Sequence, residues 1–261
     1  MGMAPMGIGG TVILVVLSLI FGRDFVSGSG GDPAQQRQTA SGEVAPVTQS
    51  PAEAREVQFV TFVIDTAEAT WAKLLPQQTG APWHNAKLVL FRDATPTGCG
   101  AGQAAMGPFY CPVDEKIYID LSFYDELRDR FGAPGEFAQA YVITHELGHH
   151  VQHLLGTDAK VRQAQEQNPG AANALSVALE LQADCYSGVW ANHTQQALDP
   201  GDIEQGMNAA AAVGDDRIQA ATTGHVNTDK FTHGSAQQRA TWFKRGYASG
   251  NTTDCNTFAS S

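Results

Sequence analysis

His145 and His149 stand four residues apart, with Glu146 beside the first, in the run Thr144-His145-Glu146-Leu147-Gly148-His149. Four residues are close to one helical turn. On a helix both imidazoles would share a face and reach one metal ion, while Glu146 reaches a water on that ion. Imidazole nitrogen suits zinc, and a carboxylate base beside a metal-activated water is hydrolytic chemistry. Two surface histidines with an incidental glutamate are the bland alternative, which the apolar, Gly-containing helical context disfavours.

Zinc that keeps one position open for water takes three protein ligands, so a third must exist. His153 continues the ladder, but it lies eight residues from His145, ~12 Å along a helix axis, and reads as a surface residue. The metzincin spacing would place Gly at 152 and His at 155, where this chain has Gln152 and Leu155. The strong candidate is Glu180, in Glu180-Leu181-Gln182-Ala183-Asp184. Glu180 and Asp184 share one face of a helix that also carries Leu175, Leu179 and Val189, where unpaired carboxylates would be costly to bury. Glu180 is then the third ligand, and Asp184 accepts the free N–H of His145 or His149. Asp184 as the ligand, or a solvated acidic stripe, are the alternatives. His233, in Phe231-Thr232-His233-Gly234-Ser235, is the candidate donor to the oxyanion that hydrolysis develops, although a lone histidine is more often structural. Arg239 either orients substrate or makes an ordinary salt bridge, the second being the plainer reading.

These side chains need a frame. Val57 to Ile64, Lys87 to Phe91 and Lys116 to Leu121 are β-branched and aromatic runs that read as three strands. Asp65 is placed to cap a short helix ending at Pro76. Helical periodicity then runs from Glu136 to Leu155, resumes after a cap at Thr157 or Asp158, and continues from about Ala171 to His193. Asp202 is placed to cap a helix to Val213, and Ser235 with Gln238 forms a capping box for a last helix reaching Gly246. The expected fold class is α+β: a small mixed or antiparallel sheet packed on a predominantly helical domain over residues 57–261. The strand from Lys116, or a neighbour, is expected to be an edge that pairs with extended substrate.

Ahead of that domain, Met1 to Gly22 holds no charged residue and Thr11 to Phe21 is nearly all apolar. The start lacks Lys and Arg and shows no clear small-residue cleavage site, which favours an uncleaved transmembrane anchor over residues 1–22 above a signal peptide. Residues 23–56, rich in Gly, Ser, Pro and Gln, read as a flexible linker. Arg23 alone, following the apolar run, would keep the body in the cytoplasm by the positive-inside rule. Cys99, Cys111, Cys185 and Cys255 argue the other way: an even number in an exported domain reads as two disulfides of unassigned connectivity, four buried thiols being the alternative. The net charge of −11, from 16 basic and 27 acidic residues, excludes a nucleic-acid binder, which needs clustered Lys and Arg.

The chain from about Val57 to Phe258 resembles the bacterial neutral zinc metallopeptidase family of membrane-tethered proteins. The resemblance rests on GQAAMGPFYCP (102–112), IYIDLSFYDEL (117–127), FAQAYVITHELGHHVQ (137–152), ELQADCYSGVW (180–190), GDDRIQ (214–219), FTHGSAQQR (231–239) and CNTF (255–258). It implies a gluzincin-type, zincin-like domain that binds one Zn²⁺ and cleaves peptide or protein substrates, with Glu180 matching the glutamate of the family's E-x-x-A-D block. It also raises His233, since distant membrane gluzincins place a T-H block near the site. Such proteins usually carry a longer basic segment before the anchor. A coding start upstream of Met1 would supply it and turn the catalytic domain to the extracytoplasmic side of a single-pass membrane protein. The rival expectations are a non-catalytic envelope protein in which zinc staples helices for partner binding, and a zinc amidase acting on cell-wall links.

Overall fold

The computed structural model describes residues 51–92, 94–103, 107–123 and 135–260. The expected anchor lies outside the described residues, and no helix among those described is long and apolar enough to cross a membrane. The fold is mixed α+β and mostly helical, and Gln58–Ser261 forms one compact unit.

Helix α1 spans Pro51–Thr79. It therefore begins inside the stretch read as linker and replaces the strand expected over Val57 to Ile64. That run has β-prone residues, but Val60, Val63, Ile64, Ala67, Trp71, Leu74 and Leu75 are the buried ones, a spacing of three and four that suits only a helix. Asp65 is mid-helix rather than a cap, and the helix continues past Pro76. Tertiary burial of one stripe outweighs local β preference here.

Strands β1 (Lys87–Phe91), β4 (Phe109–Cys111) and β5 (Lys116–Asp120) form a mixed sheet in the order β1-β5-β4, with β2 (Ala94–Thr97) and β3 (Gly100–Gln103) as a separate hairpin. β5 pairs in parallel with β1 (Leu88 opposite Ile117) and antiparallel with β4 (Tyr110 opposite Ile117). β5 is thus enclosed and cannot itself pair with substrate, so of the expected edge, the strand from Lys116 or a neighbour, only the neighbours β1 and β4 qualify. The short strands β2 to β4 were not foreseen, because Ala-Thr-Pro-Thr and Gly-Ala-Gly-Gln have little β propensity. The disulfide Cys99–Cys111 ties the hairpin turn to β4, and Cys185–Cys255 ties a helix to the C-terminal tail.

Helices α2 (Glu136–Leu154), α3 (Thr157–Gln167), α4 (Ala172–His193), α5 (Asp202–Ala212), α6 (Asp215–Thr223) and α7 (Ala236–Ser249) make up the body. α7 opens on the reciprocal Ser235–Gln238 capping box and ends at Gly250, so Gly246 is internal. There it lets α7 lie against α4: a Cβ at Gly246 would run into the Cys185 carbonyl, and one at Gly188 into the Phe243 carbonyl. Trp71, Tyr141, Leu147 and Phe243 are buried at the centre of the core.

Candidate metal centre

Two adjacent helices supply the ligands. α2 carries His145 and His149 on one face, and α4 carries Glu180. Ligand atoms of these three lie within 4.8 Å of one another, and no other group of three or more His, Cys, Asp or Glu side chains converges in this way among the described residues. His145 Nε2 lies 3.1 Å from Glu180 Oε2, and His149 Nε2 lies 3.5 Å from Glu180 Oε1.

The far side of each imidazole is also engaged. Asp184 Oδ1 lies 2.8 Å from His145 Nδ1, and Gln152 Oε1 lies 2.8 Å from His149 Nδ1. Asp184 is fully buried and receives the Tyr141 hydroxyl at 2.5 Å together with Arg239 Nε at 2.9 Å and Nη2 at 3.0 Å. Burial pushes the Asp184 carboxyl up, but Arg239 and His145 more than reverse this and hold it below the usual range. Burial likewise opposes charge on His145, yet Asp184 and Glu180 raise it to about 10. A proton there occupies the place of a cation, so metal uptake by this site releases it. Burial holds His149 below its ordinary value, and hence neutral. With Nδ1–H committed to Gln152, the His149 Nε2 lone pair faces a carboxylate oxygen. Two partly buried acceptors in opposition are what a cation reconciles, and two imidazole nitrogens with one carboxylate are a zinc donor set. The residues fit the metal.

Glu146 is buried on the same turn of α2. Burial raises its carboxyl to about 7, against the opposing pull of His145 and of the Tyr110 backbone N–H on β4. His233 lies on the loop before α7, near enough to Glu180 for each to shift the other's titration. Asp215 shapes that loop: its Oδ2 accepts the backbone N–H groups of Thr232, His233 and Gly234 at 2.7, 2.6 and 3.0 Å, and its Oδ1 lies 3.3 Å from His233 Nδ1. His153 points elsewhere, its Nδ1 lying 3.0 Å from Asp158.

A family model described as "Putative neutral zinc metallopeptidase" matches residues 2–258. The chain belongs to this family. Its relatives include "Uncharacterized protein YpfJ" of Escherichia coli (strain K12), 48% identical over 98% of this chain and 89% of the relative. Another is "Uncharacterized protein Mb2605" of Mycobacterium bovis, 44% identical over 75% of this chain and 68% of the relative. No solved structure matches. Of the residues around the site, sequence reasoning passes over Gln152, Tyr141, Tyr110 and Asp215. Gln152 and Tyr141 carry a usable signal, lying one turn beyond His149 and one turn before His145 on the same helix, and Asp215 sits in the GDDRIQ block; Tyr110 reaches the site only through tertiary packing.

Proposed function

We propose that the chain hydrolyses peptide bonds, with one zinc ion held by His145, His149 and Glu180 and with Glu146 as general base. The observation that carries this reading is the ligand count. Three donors converge, and no fourth His, Cys, Asp or Glu joins them among the described residues. A structural zinc site is closed by four protein ligands, whereas a catalytic one keeps a position for water or substrate.

Bound zinc supplies Lewis acidity to the scissile carbonyl and to the attacking water. Glu146, with a carboxyl poised near 7, takes the proton of that water and delivers it to the leaving amine. Asp184 holds His145 in its tautomer and orientation, and Arg239 holds Asp184. His233, fixed from its Nδ1 side by Asp215, offers Nε2 to the developing oxyanion. The edge position of β4, whose Tyr110 N–H influences the Glu146 carboxyl, suits an extended peptide added as a further strand. The two disulfides support an oxidising compartment, and with the apolar Thr11 to Phe21 run they favour a body tethered on the extracytoplasmic side of a membrane.

The test uses the zinc-loaded full chain with an unfolded protein, a peptide library and cell-wall fragments, beside Glu146→Gln. The expected result is peptide cleavage that is lost in the variant while zinc is retained. Cleavage of cell-wall amides alone would replace the peptidase with an amidase. Zinc binding without turnover of any substrate would favour the stapled binding protein.

A further inference from the structure

Two buried glutamines, one on each metal-bearing helix, connect ligand His149 to the C-terminal tail. Gln152 is fully buried. Its Oε1 lies 2.8 Å from His149 Nδ1, and its Nε2 donates to the Leu179 carbonyl at 2.7 Å and to Gln182 Oε1 at 3.2 Å. Gln182 Nε2 donates in turn to the Cys255 carbonyl at 3.0 Å. The tail at that point is tied to α4 by the Cys185–Cys255 disulfide and by Thr257 Oγ1, which donates to the Ala178 carbonyl at 2.6 Å.

The direction of this relay is fixed by chemistry. A main-chain carbonyl only accepts, so the Leu179 and Cys255 oxygens each require the amide nitrogen of the glutamine that faces them. Gln182 must then show its oxygen to Gln152, and Gln152 must show its oxygen to His149. The hydrogen of a neutral His149 is thereby placed on Nδ1, and the lone pair is left on Nε2, on the Glu180 side. A flipped Gln152 would set nitrogen against nitrogen and favour the opposite tautomer, which cannot ligate through Nε2.

We infer that Gln152 and Gln182 are positioning residues through which the disulfide-pinned C-terminal tail holds His149 in its metal-binding tautomer. This rests on the zinc site of His145, His149 and Glu180. Leu179 O restrains Gln152 independently of Gln182, so the effect is graded along the relay. Loss of Gln152 removes the acceptor itself, while loss of Gln182 removes one of its two restraints.

The experiment combines zinc affinity by chelator competition with nitrogen-15 NMR of histidine-labelled, metal-free full chain. Wild type should show His149 as the Nδ1–H tautomer. Gln152→Leu should show mixed tautomers and about 10- to 100-fold weaker zinc binding, Gln182→Met a smaller loss of the same sign, and Gln152→Glu, which keeps the acceptor for His149 but sets its second oxygen against the Leu179 and Gln182 oxygens, the Nδ1–H tautomer with a lowered melting temperature. Thr257→Val removes the outer tie of the tail but leaves the Cys185–Cys255 bond, and with it the Cys255 carbonyl that Gln182 meets, in place, so it should lower the melting temperature and leave tautomer and affinity unchanged. An unaltered tautomer and affinity in Gln152→Leu and Gln182→Met would overturn the inference, as would an equal loss in Thr257→Val. Wild type that binds no zinc would instead overturn the metal site, and the metal-free NMR comparison would still decide whether the relay sets the tautomer.

Discussion

A Cβ on Gly148 would stand 2.9 Å from the Ala183 carbonyl oxygen and 3.0 Å from the Ala183 Cα, so the helix bearing both histidines rests directly on the backbone of the helix bearing Glu180. Gly148 lies between the two imidazoles in sequence, and Ala183 lies between Glu180 and Asp184. Within a free helix, Gly→Ala gains about 0.5–1 kcal/mol. Here the new methyl must push backbone against backbone, at a cost of about 1–3 kcal/mol. Gly148→Ala is therefore expected to forgo the propensity gain and to weaken zinc binding, because parting α2 from α4 separates the histidines from Glu180. Calorimetry and chelator competition check this; a variant with a higher melting temperature and unaltered zinc affinity would contradict it.

Asp215 spends its whole carboxylate on the loop that carries His233, three backbone N–H groups on one oxygen and the imidazole beside the other. If His233 stabilises the oxyanion, its removal costs about 10²–10³ in kcat. Asp215→Ala should cost nearly as much without touching a ligand. The two residues would act as one unit, so the double variant should be scarcely worse than either single one. Zinc content should stay at the wild-type level throughout. Multiplicative losses in kcat/KM would show instead that Asp215 and His233 act independently.

The parts of this site readable in sequence are those set by short-range periodicity. His145, Glu146 and His149 share a turn, and Glu180 and Asp184 share the next, so helix geometry places each group without knowledge of the fold. The capping box at Ser235 and Gln238 is equally local. By contrast, Val57 to Ile64 presents a β-like composition whose outcome is decided by which residues meet the core, and Phe62 is left 55% exposed on the outer side of α1. The strands β2 and β3 owe their existence to pairing rather than to composition, and β4, although β-prone, is only three residues long. Asp215 acts on His233 through contacts that only the packed loop creates, whereas Gln152 meets His149 within one turn of the same helix.

Arg239 is the charge whose removal should be felt most in stability. It is buried and faces fully buried Asp184 with two nitrogens, and its Nη2 also donates to the Tyr141 hydroxyl at 3.1 Å. Arg239→Met removes the main countercharge of a fully buried carboxylate and leaves Asp184 with His145 and Tyr141 alone, a defect of about 3–5 kcal/mol. For a domain of this size that is a fall of about 6–20 °C in melting temperature. Adding Asp184→Asn should restore part of the loss, since it removes the stranded charge. Denaturant titrations of the singles and the double test this, and a double variant that sums the two single losses would rule out their direct coupling.

Glu68 should give the stability curve a falling arm near neutral pH. Its carboxylate accepts Trp83 Nε1 and the Ala86 backbone N–H, each at 2.9 Å. Burial nevertheless dominates and raises it from 4.5 to about 7, with Asp65 adding to the rise. The native state then holds a proton that the unfolded chain has released, so the contribution of this group is fullest below about 4.5 and declines as pH rises through about 7. The full excursion is on the order of 3 kcal/mol. Asp184, Asp158 and Asp215, all held below the usual range, act in the opposite sense and protect the fold only once the pH exceeds their unfolded values. Glu68→Gln cannot titrate, and its amide opposes one of the two N–H donors, so it should be less stable than wild type at pH 5. That deficit should shrink steadily towards pH 8, because wild type loses stability over this interval and the variant does not. Melting temperatures of both proteins across the range decide the matter: a constant difference would mean that Glu68 titrates alike in the folded and unfolded chain.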